Sequence, residues 1–142
     1  MLDLNRYFFK MKKSPFNLLQ EIYWPDEWKI LACCILLNQT TRTQVDQVRD
    51  RLFEKYPGPK EMAEADEQEL SLMIKSLGFQ NKRAKTLKKF SEAYLKQWES
   101  VSDLPGIGPY AFDSWMIFIN DTHVPNPLDH VLKSYVDWKV TQ

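Results

Sequence analysis

The sequence predicts an all-α fold of seven to eight helices in one 142-residue chain. Three observations carry this. Apolar residues recur at the three- and four-residue spacing of a helix in nearly every segment. No stretch alternates apolar and polar residues as a half-buried strand would. Proline and glycine fall between the periodic segments and so punctuate them.

The elements follow in order. Residues 1–13 are mixed, with Lys10, Lys12 and Lys13 at the end, and read as an N-terminal arm; residues 14–142 form the domain. Ser14-Pro15 reads as an N-cap followed by proline at the first helical position. Phe16, Leu19, Ile22 and Tyr23 then lie at helical spacing. Pro25-Asp26 interrupts, and Asp26 caps a helix whose stretch from Trp28 to Leu37 is apolar nearly all round, the mark of a central buried helix. Val45, Val48, Leu52, Phe53 and Tyr56 make an amphipathic stripe over 43–56, ended by Pro57-Gly58-Pro59. An acidic stretch from Glu61 to Glu69 leads into Leu70, Met73, Ile74 and Leu77, and Gly78 reads as a C-terminal stop. A long helix from Asn81 to Trp98 carries Ala84, Leu87, Phe90, Tyr94 and Leu95 inside, with Lys82, Arg83, Lys85, Lys88 and Lys89 as a basic face. Leu104-Pro105-Gly106-Ile107-Gly108 precedes an apolar helix from Pro109 to Ile119, and a loop with Pro125 and Pro127 delivers the last helix, Asp129 to Lys139.

Composition excludes several classes. Hydrophobic residues make up 44% and charged residues 27%, ordinary for a globular domain. The longest apolar run, Ile30 to Leu37, has the length of a buried helix and is too short to span a bilayer, so no membrane role is expected. The N-terminus lacks the basic-then-apolar pattern of a secretory signal. The adjacent Cys33 and Cys34 read as buried free thiols; two cysteines cannot hold a four-cysteine iron–sulfur cluster, and no His/Cys spacing supports zinc, so no metal and no cofactor are expected. Formal net charge is zero, so affinity for nucleic acid has to come from a local patch.

The hairpin from Leu104 to Gly108 is the first motif with chemistry. Two glycines flanking one apolar residue between helices give a tight turn with open backbone amides, and the helix start that follows adds partial positive charge. Such a turn seats a phosphate; a ligand-free interhelical turn is the equally simple alternative. Downstream, Asp129 stands before the last helix, where Asp is commonly an N-cap.

Together the hairpin and the downstream Asp resemble the helix-hairpin-helix DNA glycosylases. The resemblance reaches from residue 14 to 138 and sharpens toward the catalytic domain of the methyl-CpG-binding-domain thymine DNA glycosylases. It is carried by Ser14-Pro15-Phe16-Asn17-Leu18-Leu19-Gln20-Glu21, Leu36-Leu37-Asn38-Gln39-Thr40, Leu77-Gly78-Phe79, Arg83-Ala84-Lys85-Thr86, Gly106-Ile107-Gly108-Pro109-Tyr110, Asp113-Ser114 and Asp129-His130-Val131-Leu132, among others. The closing cysteine cluster of endonuclease III-like members is missing.

The resemblance implies roles. Asp129 is the catalytic carboxylate. Gln20, Leu37 and Tyr110 form the base pocket, with the Gln20 amide suited to the O2 and N3–H edge of thymine or uracil. Gln39 fills the space left by a flipped nucleotide and Phe79 wedges the opposite strand; both depart from the Arg and Leu of the thymine glycosylases. Val131 replaces a Lys found after the Asp-His pair. Gly106, Ile107 and Gly108, with Lys82 and Lys85, contact phosphates, although a solvated face is the more frequent explanation of such a lysine run. Bifunctional members carry Lys where this chain has Tyr110, and a phenol cannot form their imine. The expectation is therefore a nuclear, monomeric, monofunctional glycosylase acting on double-stranded DNA that contains a mismatched or damaged base. It would flip thymine or uracil from opposite guanine and release it by Asp-assisted hydrolysis. A same-fold glycosylase for another base, and a non-catalytic DNA-binding module, are the alternatives.

Overall fold

The computed structural model describes residues 12–142; most of the expected arm, residues 1–13, lies outside them. Among the described residues, eight α-helices and two single 3-10 turns make up the regular structure, and no strand occurs. The helices are α1 (Leu19–Tyr23), α2 (Glu27–Leu37), α3 (Arg42–Lys55), α4 (Pro59–Ala63), α5 (Glu67–Met73), α6 (Gln80–Tyr94), α7 (Pro109–Phe118) and α8 (His130–Lys139).

Helix α2 is the axis of the larger core. Eight of its eleven residues are buried, as its unbroken apolar run requires. Around it pack Val45, Val48 and Leu52 of α3, Leu70 of α5, and Ala84, Leu87 and Phe90 of α6. The polar atoms that enter this core find partners. The Trp28 indole N–H donates to Ser91 Oγ at 3.1 Å, and that hydroxyl donates to the Leu87 carbonyl at 2.7 Å. At the rim, Glu27 accepts from Tyr94 Oη and from Trp115 Nε1, both at 2.8 Å, and so joins α2, α6 and α7.

A smaller apolar cluster joins Leu18, Ile117 and Phe118 to Leu132, Tyr135 and Val136 of α8. Tyr110 packs against both clusters. The seam between them opens as a cleft.

Several boundaries differ from the sequence expectation. Ser14-Pro15 does not start a helix; α1 begins at Leu19. Instead the Glu21 carboxylate reaches back, accepting from the Leu18 N–H and from the Ser14 N–H and hydroxyl, each at 2.8 Å. One acid thus ties Ser14 to the start of α1, while the Ser14 hydroxyl still accepts from the Phe16 N–H at 3.2 Å without starting a helix. The acidic stretch forms two short helices: α4, with Pro59 at its first position, and α5, capped by the Asp66 side chain. Helix α6 stops at Tyr94, short of Trp98, where the Trp98 indole N–H donates to the freed Tyr94 carbonyl at 3.2 Å. Asp26 caps α2 as expected, accepting from the Lys29 N–H.

Candidate active site

Asp129 is the N-cap of α8. Its Oδ2 accepts from the Val131 and Leu132 amides at 3.0 and 2.9 Å. The carboxylate is thereby fixed by the helix it starts, while Oδ1 has no hydrogen-bond partner among the described residues. Asp129 lines a cleft of about 770 Å³ together with Gln20, Leu37, Gln39, Gly108 and Tyr110. Sequence positions from both ends of the chain converge here because α1, the end of α2, the start of α7 and the start of α8 all reach the seam.

Gln20 and Tyr110 are joined directly. Gln20 is buried (1% exposed). Its amide nitrogen donates to Tyr110 Oη at 2.8 Å and to Ser114 Oγ at 3.0 Å. Both donor positions are used, which leaves the carbonyl oxygen as the group Gln20 can offer a ligand. Burial, chiefly, raises the Tyr110 pKa well above that of a free phenol; the charge of Asp129 adds to this, and the Gln20 contact opposes it. Tyr110 is a neutral hydroxyl in neutral solution.

Cys34 also lines the cleft. Burial, opposed by the Ser114 contact and aided by the Asp129 charge, pushes its thiol up to about 12. A thiol held neutral is a poor nucleophile. Leu37 is half-buried at the end of α2 and gives the cleft an apolar wall.

The hairpin glycines differ from one another. Gly106 has φ +81°, and a Cβ there would meet Thr86 Cγ2 at 2.7 Å and Ile35 Cδ1 at 3.1 Å. Gly108 is not in the left-handed region: φ is −98° and ψ −168°, and a Cβ would meet nothing within 4 Å. Gly106 is required by packing of the turn onto α2 and α6, whereas the space over Gly108 is open. Ile107 turns its side chain to the core, and its amide is used within the turn, donating to the Leu104 carbonyl at 3.3 Å. The first-turn amides of α7 lack intrahelical acceptors, and Gly108 provides no side-chain cap.

A second cavity, about 310 Å³, lies beside the first and is lined by Gln39, Phe79, Lys82, Arg83, Lys89 and Gly106, among others. Phe79 is 68% exposed and Gln39 is exposed. Both hold left-handed backbone, at φ +48° and +59°, a conformation rare for such side chains and concentrated at functional positions. Lys82 borders this cavity; Lys85 is exposed and borders neither cavity. Arg83 does not belong to the basic face: it is 8% exposed and buried under the two loops.

Sequence reasoning missed Ser114 and Cys34, and misplaced Arg83. Spacing contained the signal for two of them. Ser114 falls on the buried stripe with Ala111, Ile117 and Phe118, and Arg83 lies in register with Leu87 and Phe90. Among the described residues no three His, Cys, Asp or Glu side chains gather as a metal site, and no helix is long and apolar enough to cross a membrane.

Comparison with known proteins supplies the family. Residues 32–134 match the HhH-GPD superfamily of base excision DNA repair proteins. The chain is 42% identical over 130 residues to a methyl-CpG-binding domain protein 4-like protein of Arabidopsis thaliana, covering 89% of this chain and 29% of that protein. It is 31% identical over 111 residues to a thymine/uracil-DNA glycosylase of Pyrobaculum aerophilum, covering 72% and 47%. This chain therefore spans less than half the length of either curated relative. A thermostable thymine-DNA glycosylase shares the fold with a TM-score of 0.63 at 21% identity, covering 97% of this chain and 73% of the other. Endonuclease III in a non-covalent DNA complex does so at 0.58 and 23%, covering 89% and 67%. With the profile match spanning α2 to α8, the chain belongs to the HhH-GPD superfamily of base excision DNA repair proteins.

Proposed function

We propose that this chain is a monofunctional DNA glycosylase that removes thymine or uracil mispaired with guanine, in nuclear base excision or demethylation-linked repair, and that it works as a monomer on double-stranded DNA. The observation that carries the reading is the pairing of a helix-anchored Asp129 carboxylate with the Gln20–Tyr110 pair in one cleft. Relatives named as thymine/uracil-DNA glycosylases support the substrate class.

A duplex hides its glycosidic bond, so the nucleotide must first leave the stack, at a cost of a few kcal/mol that is least at a mismatch. Gln39 and Phe79 enter the space left behind, the amide of Gln39 pairing with the orphaned guanine and the ring of Phe79 stacking. The strand is held at its phosphates by the Gly106 and Gly108 amides and the first turn of α7, and by Lys82 and Lys85, the Ile107 amide being already engaged within the turn. In the cleft the Gln20 carbonyl accepts from N3–H of thymine or uracil. Cytosine has no hydrogen there, so it leaves that acceptor unpaired, which disfavours it.

The C1′–N1 bond then breaks with its electron pair going to the base. Positive charge grows on the sugar, where the Asp129 carboxylate stabilises it and orients water. Water oxygen bonds C1′, and its proton neutralises the departing base. Tyr110 has no amine with which to form an imine, so the product is an intact abasic strand.

A panel of duplexes carrying thymine, uracil, cytosine or an oxidised pyrimidine opposite guanine or adenine tests the reading. Release of thymine and uracil opposite guanine is expected, with loss of release in Asp129→Asn while DNA is still bound, and no covalent complex on borohydride treatment. Full activity of Asp129→Asn, or efficient borohydride trapping of the unaltered protein, would refute it.

A further inference from the structure

Arg83 makes three hydrogen bonds to backbone. Its Nε donates to the Gly78 carbonyl at 2.8 Å, one terminal nitrogen to the Asn38 carbonyl at 2.7 Å, and the other to the Leu77 carbonyl at 3.5 Å. Asn38 immediately precedes Gln39, and Gly78 immediately precedes Phe79. The two carbonyls come from chain segments 45 and 5 residues from Arg83, brought together only by the packing of α6 on the end of α2. The guanidinium carbon also lies 6.0 Å from the centre of the Phe79 ring.

A buried cation is ordinarily paired with a carboxylate. Among the described residues none pairs with Arg83, and its charge is spent on carbonyl dipoles. A planar fork with several N–H groups can satisfy carbonyls from two loops at once; an ammonium, a point donor on a flexible stem, is not pre-organised for this. Both loops also carry a residue in left-handed backbone, Gln39 and Phe79. Such strain persists only where surrounding contacts over-determine it.

We infer that Arg83 is a positioning residue that clamps the Gln39 loop to the Phe79 loop, so that plug and wedge enter the duplex as one preset unit. The inference rests on the proposed glycosylase reading. It gives Arg83 a part in nucleotide extrusion without contact to substrate. Arg83 sets the spacing of two inserted side chains and does nothing in the pocket where the bond is cut.

The test separates extrusion from chemistry. Single-turnover release of uracil is measured from a duplex with guanine opposite, and from one with an abasic gap opposite, where no partner base holds the uracil in the stack. A 2-aminopurine beside the uracil reports unstacking. In Arg83→Met and Arg83→Lys, release opposite guanine is expected to fall by about tenfold to a hundredfold, the loss typical of misplaced positioning groups. The 2-aminopurine signal should fall with it, and release opposite the gap should change much less. Equal losses on the two duplexes, or no loss on either, overturn the inference while leaving the glycosylase reading intact. No release by the unaltered protein from either duplex overturns both. If neither Arg83 variant folds, the cycle of Gln39→Ala, Phe79→Ala and their combination decides. A preset unit gives strongly non-additive losses, and additive losses refute it.

Discussion

The contrast between the two hairpin glycines can be tested by placing one methyl group at each. At Gly106 the added Cβ lies 2.7 Å from Thr86 Cγ2 and 3.1 and 3.2 Å from two atoms of Ile35, on a backbone with φ +81°. Ile35 is in the core, 5% exposed, so it cannot move aside freely. Forcing alanine into positive φ costs about 1 kcal/mol or more. Overpacking a filled site adds about 1–3 kcal/mol. Together Gly106→Ala should lose about 2–4 kcal/mol, and at about 2–4 °C per kcal/mol for a domain near this size the Tm should drop by about 5–15 °C. Gly108→Ala meets no atom within 4 Å and has negative φ. It should leave stability unchanged or raise it by about 0.4–1 kcal/mol through the unfolded chain. Its effect should appear instead in affinity for duplex DNA, because the methyl group fills the open space over the α7 amides. Thermal unfolding by circular dichroism and fluorescence-anisotropy titration with a mismatched duplex measure the two effects. Equal melting losses in the two variants, or a stable Gly106→Ala, would refute the packing argument. Unchanged DNA affinity in Gly108→Ala would refute the phosphate seat.

Other outcomes follow from the same geometry. Asp129→Asn keeps an oxygen that can accept from the Val131 and Leu132 amides. Its stability should therefore fall by about 1 kcal/mol or less, whereas Asp129→Ala should lose about 1–2 kcal/mol. Both should be inactive, and calorimetry that ranks the two equal would count against the cap. Alkaline pH should destabilise the protein. Burial raises the pKa of Cys33 and Cys34 above 9.0, and those of Tyr94, Tyr110 and Tyr135 above 10.0. The unfolded chain then gives up these protons first, so the stabilisation is fully present below the ordinary values and is lost as pH rises past them toward the raised values of the folded protein. Melting temperatures that stay level or rise from pH 9 to 11 would contradict this. Iodoacetamide at pH 8 should label neither cysteine of the native protein, since both are buried and neutral; mass spectrometry showing rapid labelling would place a thiolate in the cleft.

Much of this was legible in sequence because it depends on local periodicity and capping. The apolar run of α2, the stripe of α3, the turn at Gly106 and the cap at Asp129 are all set by neighbours within a few residues, and each formed where its pattern stood. The early helix start at Ser14 failed because the competing cap, the Glu21 carboxylate, reaches back seven residues. Windows of helical spacing do not weigh such a contact. The end of α6 failed likewise, on a single indole that closed the helix from outside.

Other features were decided only by tertiary structure. Gln20 meets Tyr110 and Ser114 across 90 and 94 residues of chain, so which edge of its amide faces the cleft depends on two hydroxyls on another helix. Arg83 belongs to a lysine-rich run by sequence, yet its rotation about α6 turns it under two loops and away from solvent. Gly106 and Gly108 look alike in the sequence; the sign of φ and the closeness of Ile35 and Thr86 to Gly106 tell them apart. Local sequence fixes backbone propensity and the buried face of each helix. Which side chains meet, and which polar edge is left free for a ligand, depends on how those faces dock, and docking distances are not local quantities.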